Sequence, residues 1–166
     1  MSSNEDFSEY VAARWPRLVR SAVLLGCSPS EAEDVVQSAL VRCLLHPRKI
    51  ERAVDRDAYV HRILVNTFIS SRRRRWFGEQ PTERLPEIAG ADATAEVDHL
   101  DAVVRSLKAL SLDQRTAVVL RYYAQLNERQ MASALGVAEG TVKSRLSRAL
   151  RILSEDPGLV ELQGMP

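Results

Sequence analysis

The sequence is poor in residues that interrupt helices and in residues that crosslink small domains. Among its 166 residues are only 7 Gly, 7 Pro and 2 Cys, and aromatic residues make up 5%. Scarce Gly and Pro, with abundant Ala, Leu, Val and Arg, favour helices over sheets. Because 45% of the residues are hydrophobic, packed cores can form and wholesale disorder is not expected. The composition predicts an all-α protein with one ordinary domain or two small ones.

Long apolar runs and a secretory leader are also missing. No apolar run approaches the ~18–20 residues that span a bilayer, and residues 1–10 are polar and acidic. We therefore expect a cytoplasmic protein without membrane insertion. Cys27 and Cys43 form neither a C-x-x-C pair nor a zinc-ligand pattern, so free thiols are expected.

The net charge of +1 conceals an uneven distribution of charge. Residues 1–79 hold 13 Lys or Arg against 10 Asp or Glu, and residues 101–166 hold 9 against 7. The stretch between them has one base, Arg84, and five acids: Glu83, Glu87, Asp92, Glu96 and Asp98. Two mildly basic ends therefore flank an acidic connector.

Three long helices are predicted in the N-terminal half. Apolar residues recur at helical spacing over residues 7–25, after which Gly and Pro break the pattern. Ser30, with Glu33 three residues on, predicts the N-cap and capping box of a second helix. A charged loop at residues 48–56 precedes a third helix, which Asp57 caps and which ends in a run of four arginines.

Helical periodicity is absent from residue 78 to about residue 95, where Pro, Gly and acids collect as in a linker. It returns at Val97, and Ser111, Asn127 and Glu139 begin three further helices. The chain thus divides into a domain at residues 1–77, a linker at 78–96, a second domain at 97–157 and a tail at 158–166.

The strongest local motif is a helix-turn-helix over residues 128–145. Such a motif needs a small residue where its two helices touch, which Ala132 supplies. It also needs a residue that tolerates positive φ in the turn, here Gly136, and an apolar anchor in the second helix, here Val142. All three fall at the spacing that the motif requires.

The helix after this turn has an apolar and a basic face at ~100° per residue. The inward face is predicted to hold Val142, Leu146, Ala149, Leu150 and Leu153. The outward face is predicted to hold Ser144, Ser147, Arg148 and Arg151, with Lys143 and Arg145 on its flanks. A solvated face of an ordinary helix is the alternative. The turn geometry and the absence of acids from residue 141 to 153 favour DNA binding, because Arg and Lys reach guanine edges and phosphates in the major groove.

Three phrases, in this order, resemble the extracytoplasmic-function (group 4) sigma factors of the sigma-70 family: AEDVVQ at residues 32–37, AYVHRILVNT at 58–67 and EGTVKSR at 139–145. Residues 12–20, AARWPRLVR, resemble the actinobacterial, SigE-like branch. The resemblance implies a three-helix region 2 domain and a helix-turn-helix region 4 domain, joined by a flexible acidic linker. It also implies a sigma factor that directs promoter-specific initiation, with no catalysis and no cofactor of its own.

The resemblance further implies three sets of binding residues. The surface that binds polymerase would comprise Asp34, Val35, Gln37 and Leu40. The reader of the −10 element would comprise the loop 47–56 with Arg56, Arg62, Asn66, Ser70, Arg72 and Arg73. The reader of the −35 element would comprise Thr141, Lys143, Ser144, Arg145, Ser147, Arg148 and Arg151. The arginines at 72–75 also suit the negative end of a helix dipole, and the two roles are compatible.

The partners implied by the resemblance are core RNA polymerase, through its β′ clamp helices and β flap, and promoter DNA. Many relatives also bind an anti-sigma factor, although no residue here identifies one. The acidic linker would thread the RNA exit channel and active-centre cleft of the polymerase; a solvated spacer is the alternative. The 21 residues of the acidic stretch 80–100 can extend to ~70 Å.

Two other classes of protein fit the sequence less well. An autonomous repressor or activator usually binds two half-sites as a dimer, yet no dimerisation helix or ligand domain is left over. An enzyme would need catalytic residues, but His46, His61 and His99 lack metal-ligand spacing, and neither a P-loop nor a nucleophile elbow is present.

Overall fold

A computed structural model describes residues 3–78 and 95–159. Over these two ranges the chain forms α-helices and one π-helical segment, and no strand. The all-α prediction is therefore confirmed. None of the helices in the two ranges is both long enough and apolar enough to cross a membrane.

The N-terminal domain consists of three long helices and one short one. These are α1 (Ser3–Leu25), α2 (Pro29–Leu44), α3 (Pro47–Arg52) and α4 (Arg56–Gly78). Helix α2 packs against both α1 and α4. The core between them is formed by residues with almost no exposure: Leu18, Ala22, Leu25, Val36, Ala39, Cys43, Val60, Leu64 and Phe68. Three long helices were predicted, whereas α3 occupies most of the predicted loop 48–56.

The helix boundaries differ from the prediction at two caps. Ser28, not Ser30, caps α2: its hydroxyl accepts from Glu31 N at 3.3 Å, and Glu31 accepts from Ser28 N at 2.9 Å. Pro29 therefore belongs to the helix, because its fixed φ and missing N–H suit the first helical position. Likewise the carboxylate of Asp55, not of Asp57, accepts from Ala58 N at 3.1 Å at the start of α4.

The C-terminal domain consists of α5 (Ala95–Lys108), α6 (Leu112–Val118), a π-helical segment (Val119–Tyr123), α7 (Glu128–Leu135) and α8 (Glu139–Ser154). The predicted starts at Ser111, Asn127 and Glu139 are confirmed. Ser111 forms a capping box with Gln114, and Asn127 forms one with Gln130. The predicted linker at 78–96 lies mostly outside the described residues. At its two ends, α4 ends at Gly78 and α5 begins at Ala95.

The two domains pack against each other. Helix α7 of the helix-turn-helix lies against α4, and α1 contacts α5, α6 and the π-helical segment. The buried apolar residues of both domains form one connected cluster. This arrangement was not predicted from the sequence, which indicated only two domains and a connector.

Candidate nucleic-acid interface

The turn between α7 and α8 has the geometry that the sequence predicted. Gly136 ends α7 with φ 66° and ψ 34°, in the left-handed region that favours glycine. The backbone N–H of Val137 then bonds to Ala132 O at 3.1 Å, which turns the chain tightly before α8 begins. Val142 is fully buried at the contact between the two helices. The helix-turn-helix is therefore confirmed as a structural unit.

The inward face of α8 is buried as predicted, except at its edge. Val142, Leu146 and Ala149 are buried, and Leu153 is half-buried. Leu150 is 41% exposed, so its placement in the core was wrong. On the helix it lies ~80° from Val142, at the rim of the apolar face.

The outward face of α8 is exposed and carries the predicted basic and hydroxyl residues. Four of them lie open to solvent: Ser144, Ser147, Arg148 and Arg151. Ser144 Oγ donates to Gly140 O at 2.9 Å, so its hydroxyl proton is engaged and its lone pairs remain as acceptors. The face can therefore present cations and hydrogen-bonding groups to a nucleic acid groove.

The flanking cations of α8 are tied to other helices of the domain. Lys143 Nζ lies 3.6 Å from Glu128 Oε2 on α7, and Arg145 lies 3.5 Å from Asp113 Oδ2 on α6. The Arg145 side chain is only 24% exposed, and Thr141 is half-buried. Lys143 stays accessible, whereas Arg145 and Thr141 lie toward the protein side of the helix.

A second basic surface runs along α4. Arg62, Asn66 and Arg73 are exposed on one face at i, i+4 and i+11. Ser70 is half-buried beside them, and Arg56, at the start of the helix, is exposed with its guanidinium 5.6 Å from the Tyr10 ring. The structure thus brings most of the predicted −10 set onto one side of one helix.

Arg72 lies apart from that set. Its guanidinium donates to Gly26 O at the end of α1 and stacks 5.1 Å from the Phe68 ring. In this conformation the cation caps a helix of its own domain and is turned away from the exposed face of α4. The arginine run was predicted to suit the dipole of α4, the helix that it ends, whereas Arg72 instead bonds to the end of α1.

The third predicted surface lies on α2 and needs a revision. Asp34 and Gln37 are exposed on one face. Val35 and Leu40 are 7% and 6% exposed in the domain core, so their side chains hold the helix and are not offered to a partner. The exposed face of Asp34 and Gln37 continues instead through apolar side chains that are about half exposed or more: Val41, Leu44 and Leu45.

A partly buried polar cluster joins α1 to the start of α4. Tyr10 Oη donates to Asp57 Oδ1 at 2.7 Å, and Arg14 pairs with Asp57 Oδ2 at 3.2 Å. Burial, and then the bond to Asp57, raise the pKa of Tyr10. Burial also lowers the pKa of His61, although the backbone carbonyl of Asp57 partly opposes this. No sequence motif marked this cluster, because its members come from separate helices.

The cysteines lie in the core of the N-terminal domain. Cys27 and Cys43 are both buried, and neither takes part in a disulfide within the described ranges. Burial raises the pKa of the Cys43 thiol to about 11. Within the described ranges, no group of His, Cys, Asp and Glu side chains is placed to hold a metal ion.

Two family descriptions match this chain in order. Residues 11–77 match sigma-70 region 2, and residues 100–153 match sigma-70 region 4. The chain is 41% identical over 151 residues to the RNA polymerase sigma-E factor of Streptomyces coelicolor, covering 91% of this chain and 85% of that protein. It is 35% identical over 153 residues to the ECF RNA polymerase sigma factor SigL of Mycobacterium tuberculosis, covering 89% and 84%.

Two solved structures have a fold similar to that of this chain. The sigma factor RpoE of Bartonella quintana, solved in complex with the anti-sigma factor NepR, matches with a TM-score of 0.72 at 29% identity, covering 91% of this chain and 96% of that one. CnrH, solved with the cytosolic domain of CnrY, matches with a TM-score of 0.68 at 23% identity, a likeness of fold alone.

Proposed function

Because this chain belongs to the extracytoplasmic-function sigma factors of the sigma-70 family, we propose that it binds core RNA polymerase and directs it to promoters with a −35 and a −10 element. The observation that carries this is the exposed face of α8, which has no acid between residues 141 and 153. The factor contributes recognition and DNA opening, and the polymerase performs the chemistry.

The C-terminal domain would read the −35 element with α8 in the major groove. Arg148 is exposed near the middle of the outward face and is the candidate for a bidentate guanine contact. Lys143, Ser144 and Ser147 would contact base edges or phosphate beside it, and Arg151 would contact phosphate. Arg145 and Thr141 would support the helix, since both lie toward its protein side.

The exposed face of α4 would bind the −10 element. Asn66 lies in the middle of this face, between Arg62 and Arg73, and would contact a base flipped from the non-template strand. Flipping has an unstacking cost that contacts in a pocket offset. Arg62 and Arg73 would follow the phosphates, with Ser70 and Arg56 at the edges. Arg72 would join them only after leaving Gly26 O.

The exposed face of α2 would dock on the clamp helices of the β′ subunit. Asp34 and Gln37 would give the polar contacts, and Val41, Leu44 and Leu45 an adjoining apolar strip of the kind that marks protein interfaces. The C-terminal domain would contact the β flap. We also propose a cytoplasmic location, where both polymerase and promoters are found.

An anti-sigma factor is a further proposed partner, because the RpoE relative was solved in complex with one. The acidic linker is proposed to occupy the RNA exit channel and active-centre cleft, on the ground of its charge. Co-purification tests the anti-sigma partner, and crosslinking to the polymerase tests the position of the linker.

The test of the proposed function is run-off transcription from a genomic promoter pool with purified core polymerase, with and without this chain. We expect discrete transcripts only when both are present. In parallel, a gel shift with the same promoters should show specific binding only when core is added. Specific binding by the chain alone, without transcripts, would instead indicate an autonomous operator-binding protein.

A further inference from the structure

An acid from the neighbouring helix borders the outward face of α8, although α8 itself has none between residues 141 and 153. Glu128 lies in the first turn of α7, and the tight turn at Gly136 brings α7 back beside α8. Its Oε2 lies 3.6 Å from Lys143 Nζ, with the Glu128 and Lys143 side chains 38% and 62% exposed. The ion pair is therefore open to solvent, at the flank of the surface proposed to read the −35 element.

Glu128 pairs with one exposed cation of that surface and not with the others. In the described part of the chain, Arg148 and Arg151 form no ion pair. Arg145 pairs with Asp113, but its side chain lies toward the protein side of α8 and is only 24% exposed. Lys143 thus differs from the other exposed cations of α8, because it shares its charge with a carboxylate of the same domain.

The fold has little need of this ion pair. Exposed pairs between long side chains contribute little to stability, because water screens the attraction and both side chains lose freedom. The start of α7 is already capped by Asn127, whose side chain accepts from Gln130 N at 2.8 Å. Glu128 also suits the positive end of the α7 dipole, but this role does not require Lys143. Stability alone therefore does not account for the pair.

For the strength of DNA binding, an acid at this place is unfavourable. Phosphates supply the sequence-independent part of a protein's affinity for DNA, and each cation that contacts one adds to it. A carboxylate beside Lys143 repels phosphate and competes with it for the ammonium group. Glu128 therefore lowers the affinity of this surface for DNA of any sequence.

The pair also restricts where the Lys143 ammonium lies. An untethered lysine has a flexible four-carbon stem, so its charge can settle on whichever phosphate is nearest, and phosphate contacts carry no sequence information. An ammonium has three N–H donors. One donor can stay with Glu128 while the other two reach a base edge in the groove. A tethered Lys143 can therefore distinguish base pairs that an untethered one would not.

We propose that Glu128 is a specificity-determining residue for the −35 element, which positions Lys143 toward a base edge and opposes its contact with phosphate. Glu128 acts through Lys143 and touches no base itself, so it is a positioning residue. Specificity is a difference between affinities, and the acid increases that difference by weakening binding to the wrong sequences. This role rests on the proposed function of α8 as the reader of the −35 element.

The test uses holoenzyme assembled from core polymerase and the full-length wild type, Glu128→Gln or Lys143→Gln, bound to a library of −35 sequences and titrated with salt. Glu128→Gln should bind about two- to fivefold tighter, since exposed ion pairs have strengths of that order. Its log Kd should also depend on log salt more steeply by about one. Lys143→Gln should bind more weakly, with a shallower slope, and both variants should lose preference at the same −35 position. Because misfolding would weaken binding, tighter binding with lost preference separates positioning from a structural role.

Glu155→Gln is the matched control, because it makes the same charge change at an exposed residue just past the end of α8, about 18 Å from Lys143. It should keep the −35 profile of the wild type. The double variant Glu128→Gln/Lys143→Gln should match Lys143→Gln in profile, since no ammonium remains to be positioned. Weaker binding by Glu128→Gln, a profile equal to that of Glu155→Gln, or a change of profile that persists without Lys143 would each overturn this role of Glu128. A wild-type holoenzyme without −35 preference would overturn the proposed function, and this role with it.

Discussion

Arg148 is the residue proposed to contact a guanine of the −35 element. It is exposed on the outward face of α8, while Val142, Leu146 and Ala149 on the opposite side are buried. Its truncation should therefore hardly disturb the core. Arg151 lies almost one turn further on and is also exposed, so the two arginines form a matched pair with different proposed roles.

We expect Arg148→Ala to cost the holoenzyme ~1–3 kcal/mol of binding and to relax its preference at one −35 position, as loss of a bidentate guanine contact does. Arg151→Ala should weaken binding uniformly and reduce the salt dependence by about one phosphate contact. A −35 mutant library read with each variant distinguishes them. If Arg148→Ala leaves the sequence profile unchanged, Arg148 contacts only the backbone of the DNA.

His61 makes stability depend on pH. It is 4% exposed, its Nδ1 bonds to Asp57 O, and its Nε2 has no partner within the described ranges. It lines a cavity of about 190 Å³ beside Arg14 and Arg17. Because burial lowers its pKa in the folded state, the unfolded state binds the proton first as pH falls.

The free energy of unfolding should therefore decrease below about pH 6.5, the unfolded pKa of histidine, and stay constant above it as far as His61 is concerned. Denaturant unfolding between pH 7.5 and 5.5 measures the slope, and His61→Gln should flatten it. The exposed His46 gives the matched control, since His46→Gln should keep the wild-type slope. An equal slope in wild type and His61→Gln would show that other groups titrate.

At the scale of elements, helical periodicity in the sequence predicted the long helices. The capping residues of α2 and α4 and the short helix α3 were identified only from the structure. The starts near 111 and 127 could be predicted because a single capping side chain was available at each, and Gly136 marked the turn before the helix that begins at 139. Ser28 and Ser30 can both act as a helix N-cap. Because Pro29 suits the first position of the helix, the N-cap of α2 is Ser28. Helix α3 was missed because six charged and apolar residues are too few to show a helical period.

The cap assignment gives a direct prediction with its own control. Ser28→Ala removes the acceptor for Glu31 N and should destabilise the protein by about 1 kcal/mol. Ser30→Ala, two residues on and also exposed, should cost much less. Thermal unfolding of the two variants compares them, and equal losses would restore Ser30 as the cap.

The face of α2 carries the proposed polymerase contact. Replacing both Asp34 and Gln37 with Ala should raise the Kd for core polymerase and leave helicity unchanged, because both side chains are exposed. Fluorescence anisotropy with labelled chain measures the affinity. Arg48→Ala, exposed at a site outside this face, serves as the control. Wild-type affinity in the double variant would remove this face from the contact.

At the scale of the whole molecule, the sequence indicated two domains but gave no sign that they pack together. Three hydrogen bonds between the two domains join residues that are 75 to 106 positions apart in the sequence: Arg17 to Tyr123 O, Arg115 to Leu25 O, and Gln130 to the Asp55 carboxylate. In two of the three, the acceptor is a backbone carbonyl. Every residue has a backbone carbonyl, so the residue types in the sequence do not indicate which carbonyls accept these bonds. The location of the two proposed DNA-reading surfaces, on α4 and on α8, could be predicted, whereas the packing of the two domains against each other could not.

The central claim is that α4 reads the −10 element and α8 the −35 element on one polymerase-bound chain. Run-off transcription with core polymerase on a promoter library, randomised separately in each element, tests it most directly with Asn66→Ala. We expect this variant to lose preference only among the −10 sequences and to recover activity on templates already melted at −10. Its −35 profile should stay that of the wild type. Unchanged discrimination at −10, or an altered −35 profile, would contradict it.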